Sequence, residues 1–395
     1  MNGLVRLSVA AVFAALLEAG SALPSSPAGT PFTIDVIAPL TGIGAFQGAS
    51  ITRSLRVFEA WTNEHGGLRG QPIHFEIHDD QSNPAMSVQL TEQLKSKQPA
   101  VILGTSGSGN CNAQIPLAHD GPVVYCLAPS IHPPKGGYVF SASIAVDPFV
   151  NGMIRYLRLR GFHRLGIISS TDGSGATDDD STRKSLALAE NRDVEIVAWE
   201  HFNPTDLNVA AQAARIKSAN PQALLVWTSG TPFGTVLRSL SDAGVSLPVE
   251  TTNANANVSQ LRQYAPFLPP ELLVSGYQYI LPPNLVESRA MRKPLADMFQ
   301  AHREQNLVPD AGSIGTVWDP ALIVLSGLQK LGPGASATAL RDYILGLRGF
   351  AGIDGVYDFS IGDQHGLSDR SVVVSRWMPQ TGEFVAASGP GGVPR

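Results

Sequence analysis

The sequence predicts an α/β protein of two Rossmann-like lobes, each a parallel sheet with helices on both faces. Three observations carry that prediction. Short apolar or β-branched runs alternate with stretches of helical spacing almost to the end of the chain. The alternation pauses at HPPKGGYVFSASIAVDP, residues 132–148, and then restarts as a loose internal repeat. With 395 residues and 43% apolar content, the chain has material for two ordinary cores.

The chain opens MNGLVRLSVAAVFAALLEAGSALPSSPAGTP, with an apolar run from Leu7 to Leu17 behind the single charge of Arg6. Followed by the small residues Gly20-Ser21-Ala22, this reads as a secretory signal peptide over residues 1–22. The run is shorter than the roughly 20 residues a bilayer span needs. Pro24, Pro27 and Pro31 isolate it from the fold, and Glu18 is an unusual charge just behind it. No cysteine precedes Cys111, so no thiol near the cleavage site offers itself for lipid attachment. The mature chain is expected to be free and soluble in the periplasm, without membrane insertion.

In the first lobe, Phe32–Ala38, Ile73–His78, Ala100–Gly104 and Val123–Cys126 read as strands. Between them, Ala49–His65 puts Ile51, Leu55, Phe58 and Trp61 on one helical face. Pro84–Lys97 starts with Asn83 before Pro84, an N-cap and first-turn pair. In the second lobe, Leu165–Ser169, Val194–Trp199, Ala223–Trp227 and Pro248–Thr251 are the strands. Their helices are Leu186–Asn191, Leu207–Ala219 and Phe233–Ala243. Leu273–Tyr279 follows, then helical stretches at Ser288–Gln305, Ile314–Leu331 and Ala337–Leu347. Strand-like pieces at Val356–Phe359 and Ser371–Trp377 precede ASGPGGVPR, which reads as a disordered end.

A net charge of −5 argues against nucleic acid or anionic lipid as partners. Cys111 and Cys126 are a candidate disulfide in an oxidising compartment, or else two small buried hydrophobes. There is no CxxC motif or Cys/His cluster, so neither metal nor cofactor is expected.

In parallel α/β sheets, ligands bind beyond the carboxyl ends of the strands. The segments there are Thr41–Gly48, Thr105–Asn110 and Leu127–Ser130 in the first lobe. The second lobe has Ser170–Gly175, Thr228–Thr231 and Thr252–Asn255. Nearly all carry hydroxyls, glycines or amides, which hydrogen-bond carboxylates and carbonyls without charge of their own. A dinucleotide cradle fails on spacing: Gly42, Gly44 and Gly48 form GxGxxxG, and Asp79-Asp80 comes too late for a ribose carboxylate. A hydrolase elbow also fails, because Gly104-Thr105-Ser106-Gly107 is not GxSxG. Asp178-Asp179-Asp180 reads as a solvated helix cap, not a calcium site. Asp79-Asp80 reads as a turn bonded to the Asn83–Pro84 helix start, and His132 as a turn residue near the cleft.

VIAPLTGIGAFQGASI, HGGLRGQPIHFEIHDDQSNPAMSVQL and VILGTSGSGN resemble the Leu/Ile/Val-binding protein family, periplasmic type I solute-binding proteins of ABC importers. TDGSG and TSGTPFGTVLRSL extend the resemblance to residues 32–378. It implies two lobes joined by three crossings, closing on a ligand by hinge motion, and no enzymatic activity. The implied lobes are 32–141 with 276–350 and 142–275 with 351–380, leaving 381–395 as a tail. By resemblance, Phe46 packs over the ligand, Ser108 binds its carboxylate, and Ala128 and Ser130 add contacts. Ser174 stands where amino-acid binders carry Tyr, and Asn253 where they carry an acid for the ammonium. Gly230 belongs to the same ligand-side set, and Asp172 is the candidate replacement acid.

The expected function is capture of a small carboxylate-bearing solute, an amino acid or an aromatic or organic acid. The expected partner is an inner-membrane ABC permease, and the expected state is a monomer. The alternatives are an exported sensor of the same fold and, from another class, a secreted serine hydrolase using Ser106 or Ser108.

Overall fold

The computed structural model describes residues 29–280, 286, 288–309 and 314–395. The expected signal peptide lies outside the described residues. The first half of the chain runs β1 (Phe32–Ala38), α1 (Ala45–Glu64), β2 (Ile73–Asp79), α2 (Pro84–Lys95), β3 (Val101–Leu103), α3 (Ser108–Gln114), β4 (Val123–Cys126) and β5 (Val139–Ser141). These five strands form one parallel sheet in the order β2-β1-β3-β4-β5.

The chain then crosses to α4 (Val146–Leu159), β6 (Arg164–Ser170), α5 (Gly173–Leu186), β7 (Glu195–Phe202), α6 (Ala210–Ala219), β8 (Ala223–Trp227) and α7 (Thr231–Asp242). After them come β9 (Val249–Thr252), α8 (Val258–Gln263) and β10 (Leu272–Tyr277). It returns through α9 (Arg292–Glu304), α10 (Ile314–Leu331) and α11 (Ala337–Leu345), then a hairpin of β11 (Arg348–Ala351) and β12 (Val356–Asp358). The last strands are β13 (Val372–Met378) and β14 (Glu383–Ala386). The second sheet is ordered β14-β13-β10-β9-β8-β6-β7, parallel from β10 to β7 and antiparallel at β13 and β14.

The core follows the sheets. Val36, Leu103, Tyr125 and Phe140 of the first sheet, and Leu225 and Trp227 of the second, are fully buried. Parallel strands covered on both faces read as near-continuous apolar runs, which is why VVYC and ALLVW stand out in the sequence. Asn83 caps α2, accepting from the Ala85 amide at 2.9 Å, with Pro84 in the first turn as the sequence predicts.

Three parts of the chain differ from the sequence reading. First, the stretch read as a pause holds β5 and the first turn of α4, a helix that the sequence reading does not name. Second, the third crossing comes later than 350/351. Phe359 packs edge-on against Phe140 at 5.6 Å, and Gln364 bonds the carbonyls of Gly137 and Val139 at 3.1 and 3.0 Å. The 359–365 segment therefore packs on the first sheet before β13 joins the second.

Third, residues 381–395 are not a disordered end. β14 pairs with β13, Trp377 contacts Phe384 at 5.0 Å, and Arg155 donates to the Gly391 carbonyl at 2.8 Å. Gly391 and Gly392 have positive φ (75° and 72°), and a Cβ on Gly392 would strike the Gly152 carbonyl of α4. Glycines that suggest disorder in the sequence are what let this end dock.

Candidate functional site

The segments beyond β1, β3 and β4 face those beyond β6, β8 and β9 across a cleft containing a cavity of about 160 Å³. Gln47, Ser106, Ser108 and Ser130 line one side; Ser174, Asp178, Thr228, Ser229 and Asn253 line the other. Between them Ile51, Leu127, Ile144, Val146, Phe149 and Tyr277 give the cavity an apolar body. Among the described residues lining it there is no Lys, Arg or His. Hydroxyls and amides around an apolar centre suit a small solute with a polar end and a hydrophobic body.

Ser108 begins α3, and α3 is pinned twice. A disulfide ties Cys111 to Cys126 at the end of β4, with Cα atoms 6.1 Å apart. Asn110 donates to Asp80 at 2.8 Å, and buried Asp80 also accepts from the Ser87 hydroxyl (2.8 Å) and the Ser82 amide (2.9 Å). Asp79 holds the turn after β1 on the same side: its carboxylate accepts from the Leu40, Thr41 and Gln81 amides at 2.9, 3.1 and 2.8 Å. The acidic pair is a bracket that fixes the turn after β1 and the start of α3.

The two lobes repeat one close contact. A Cβ on Gly48 would strike the Pro39 carbonyl, and one on Gly175 would strike the Ser170 carbonyl. In each lobe a glycine lets the first helix approach the strand end that precedes it. That close approach, not phosphate binding, accounts for Gly48.

The acidic run on α5 divides three ways because successive helical residues turn by about 100°. Asp178 faces the cleft. Asp179 is buried, accepting from Ser169, from Trp199 Nε1 at 2.8 Å and from His201 Nε2 at 2.6 Å. Asp180 faces solvent and pairs with Lys184 at 2.9 Å. The run is therefore not a solvated cap, and the N-cap is Asp172, whose carboxylate accepts from the Gly175 amide at 3.0 Å. Burial, with the charges of Asp179 and Asp172 beside it, lifts the Asp178 carboxyl to about 8.

Of the residues singled out in the sequence, Ser108, Ser130, Ser174 and Asn253 meet at the cavity. The others do not line it. Phe46 is 63% exposed beside fully exposed Ile43, because the face of α1 turned to the cleft is that of Gln47 and Ile51, four residues apart. Ala128 is buried in the core beside the disulfide, while its neighbours Leu127, Pro129 and Ser130 line the cavity. Gly230 caps α7 with φ 69°, leaving the lining to Thr228 and Ser229. Asp172 is spent on its own helix and on the Ser170 and Ser174 hydroxyls, at 3.0 and 2.7 Å. Sequence reasoning missed Asp178, Phe149 and Tyr277; a helical reading of 173–186 would have put Asp178 four residues from Ser174, on one face.

Among the described residues, one group has metal-ligand geometry: Asp35, Glu76 and His78, with ligand atoms within 4.8 Å of one another. Asp35 already pairs with Lys97 at 3.4 Å and hydrogen-bonds His78 at 2.9 Å, and none of the three lines the cleft.

Residues 31–378 match the family model described as periplasmic binding protein. The chain belongs to that family. The periplasmic binding protein fold is shared with solved structures of low sequence identity. An extracellular ligand-binding receptor from Rhodopseudomonas palustris is 23% identical, with 90% of this chain and 99% of that one covered and a TM-score of 0.77. A type 1 periplasmic binding protein from Bordetella pertussis is 24% identical, with coverage of 90% and 99% and a TM-score of 0.76. A solute-binding protein of an ABC transporter from R. palustris, in complex with benzoate, is 18% identical, with coverage of 92% and 97% and a TM-score of 0.72. No curated protein sequence matches this periplasmic binding protein. The family fold is a solute-binding, non-enzymatic one.

Proposed function

We propose that this protein captures a small carboxylate-bearing solute with an apolar or aromatic body and delivers it to an inner-membrane ABC permease. The observation that carries the reading is the meeting of Ser108 and Ser130 from one lobe with Ser174 and Asn253 from the other, around an apolar-walled cavity. Its volume, about 160 Å³, is close to the roughly 150 Å³ of an engineered cavity that admits benzene. The benzoate-bound relative is consistent with a ring of that size.

In this reading Ser108 and Ser130 hold the carboxylate, and the second lobe closes over the body. Hinge motion is between 32–141 with 276 to about 366 and 142–275 with the remaining C-terminal strands. Phe46, at the rim, covers the mouth on closure. Residues 1–22 direct export, and the mature protein acts as a periplasmic monomer. A serine hydrolase reading draws no support from the cleft, because no histidine among the described lining residues stands beside Ser106 or Ser108.

The test is a thermal-shift screen of amino acids against aromatic and aliphatic acids. A true ligand at a hundredfold excess over its Kd stabilises the protein by about 2.7 kcal/mol. If no carboxylate in the library raises the melting temperature, the reading fails.

A further inference from the structure

The cleft must accept its ligand next to Asp178, the one carboxyl among its described lining residues, on the same face of α5 as Ser174. Among the described residues, the lysines and arginines near α5 are already engaged, and His132, exposed in the loop after β4, lies near Asp180 on the solvent side of the helix. Lys184 serves Asp147 and Asp180 at 3.1 and 2.9 Å. Arg155 and Arg158 on α4 serve Glu190 at 2.9 and 3.8 Å. Arg164 on β6 serves Glu195 at 3.2 Å, and Arg183 lies over the Trp199 ring at 4.6 Å. His201 is held by Asp179. Neither β8 nor α3 brings a titratable side chain, since Cys111 is in the disulfide. At the end of β10, Tyr277 is kept un-ionised by burial.

An ionised Asp178 would thus stand unpaired beside Val146 and Phe149, with two more acids, Asp172 and Asp179, on its own helix. A half-buried carboxylate with no cation beside it is relieved by taking up a proton. A neutral carboxyl then offers an O–H donor where a cation is missing. An arriving carboxylate is one more negative neighbour and tightens the hold on that proton.

We propose that Asp178 binds the ligand as a neutral acid, its carboxyl O–H donating to an oxygen of an anionic solute, so that the captured anion and the proton are held together. The proposal rests on the carboxylate-solute reading above and assigns a polar contact to it. No bond is made or broken; the proton stays on Asp178.

The test is calorimetric titration of the full mature chain with benzoate from pH 6 to 9.5, alongside Asp178→Asn and Asp178→Ala. The expected wild-type affinity is level below about pH 8 and falls above it, approaching tenfold per pH unit as one proton is lost. Asp178→Asn, which donates but cannot ionise, abolishes that fall. Asp178→Ala weakens benzoate at every pH below 8, and Asp178→Asn less so. Benzoate binding with a flat wild-type profile overturns this proposal alone. Binding of leucine or phenylalanine in its place, lost in Asp178→Asn, overturns it by making Asp178 an ammonium partner. Failure of all three probes overturns the carboxylate reading with it.

Discussion

The Ser143 hydroxyl donates to Asp354 at 2.6 Å, joining the first crossing to the β11–β12 turn, 211 residues away in sequence. Both residues are buried, and Ser143 holds a left-handed backbone (φ 63°) that a non-glycine residue adopts only where its surroundings enforce it. Beside this bond, Asp319 of α10 accepts from the Ile353 and Asp354 amides at 2.8 and 2.9 Å and from the Tyr357 hydroxyl at 2.9 Å. Burial and the charge of Asp319 raise the Asp354 carboxyl well above the usual range. These bonds form a polar knot between the first crossing, α10 and the β11–β12 turn.

Removing the donor tests the knot. Ser143→Ala leaves a buried Asp354 oxygen unsatisfied, which costs about 1–3 kcal/mol. The expected result is a lower urea midpoint, and Ser143→Gly, which relieves the backbone, should lose less of it than its missing hydroxyl alone implies. An unchanged midpoint in Ser143→Ala would show that the bond contributes nothing.

The buried acids give stability a pH dependence of definite sign. Burial lifts Glu250 in β9 to about 8 against its bond from Ser275 at 2.6 Å, and lifts Asp319 to about 6. The folded state keeps these protons after the unfolded chain has lost them. Their stabilisation is therefore full below pH 4 and drains away as pH rises, at up to about 1.4 kcal/mol per unit per group. Glu190 works oppositely: its bond from Arg155 brings it to about 2, so its contribution is lost in acid. Melting temperature should fall from pH 7 to 8, above the range in which the burial-lowered imidazoles of His302 and His365 oppose the trend, and Glu250→Gln should flatten the fall. A rise across that window would contradict these assignments.

Reducing the Cys111–Cys126 disulfide reopens a loop of sequence separation 15, worth about 3 kcal/mol in the chain-entropy model. Because the bond pins α3, which carries Ser108, the Cys111→Ala/Cys126→Ala variant should lose ligand affinity as well as stability. Titration with the solute found by the screen, at a temperature where both forms are folded, separates the two effects.

Ser108→Ala tests the proposed carboxylate contact. A hydrogen bond to a charged group contributes about 1.5–3 kcal/mol, so affinity should fall by roughly 10- to 100-fold. The ligand-free melting temperature should stay within a degree or two, since among the described residues no side-chain hydrogen bond from Ser108 supports the fold. Equal affinity would move the carboxylate elsewhere in the cleft.

Much of this was legible in the chain because its elements announce themselves locally. Strands such as ALLVW and VVYC are continuous apolar runs, and Asn83-Pro84 marks a helix start by its own chemistry. α5 was not legible. Its buried face is Gly175, Asp179, Ser181, Thr182 and Ser185, so it has no hydrophobic period to detect. The misplacement of Phe46 has a related cause: a one-residue difference in a helix is a 100° turn, and only the start of α1 decides whether Phe46 or Gln47 meets the cleft.

By itself, then, the sequence determined the two-lobe α/β plan and the hydroxyl- and amide-rich strand ends, because apolar periodicity and turn chemistry are short-range properties. Tertiary structure alone decided which strand-end residues face one another and that the Gly-rich end docks on α4. It also decided that one acid of Asp178-Asp179-Asp180 is turned to the cleft, one to the core and one to water. Those outcomes depend on helix rotation and on neighbours far away in sequence, and neither is encoded by residue type at a single position.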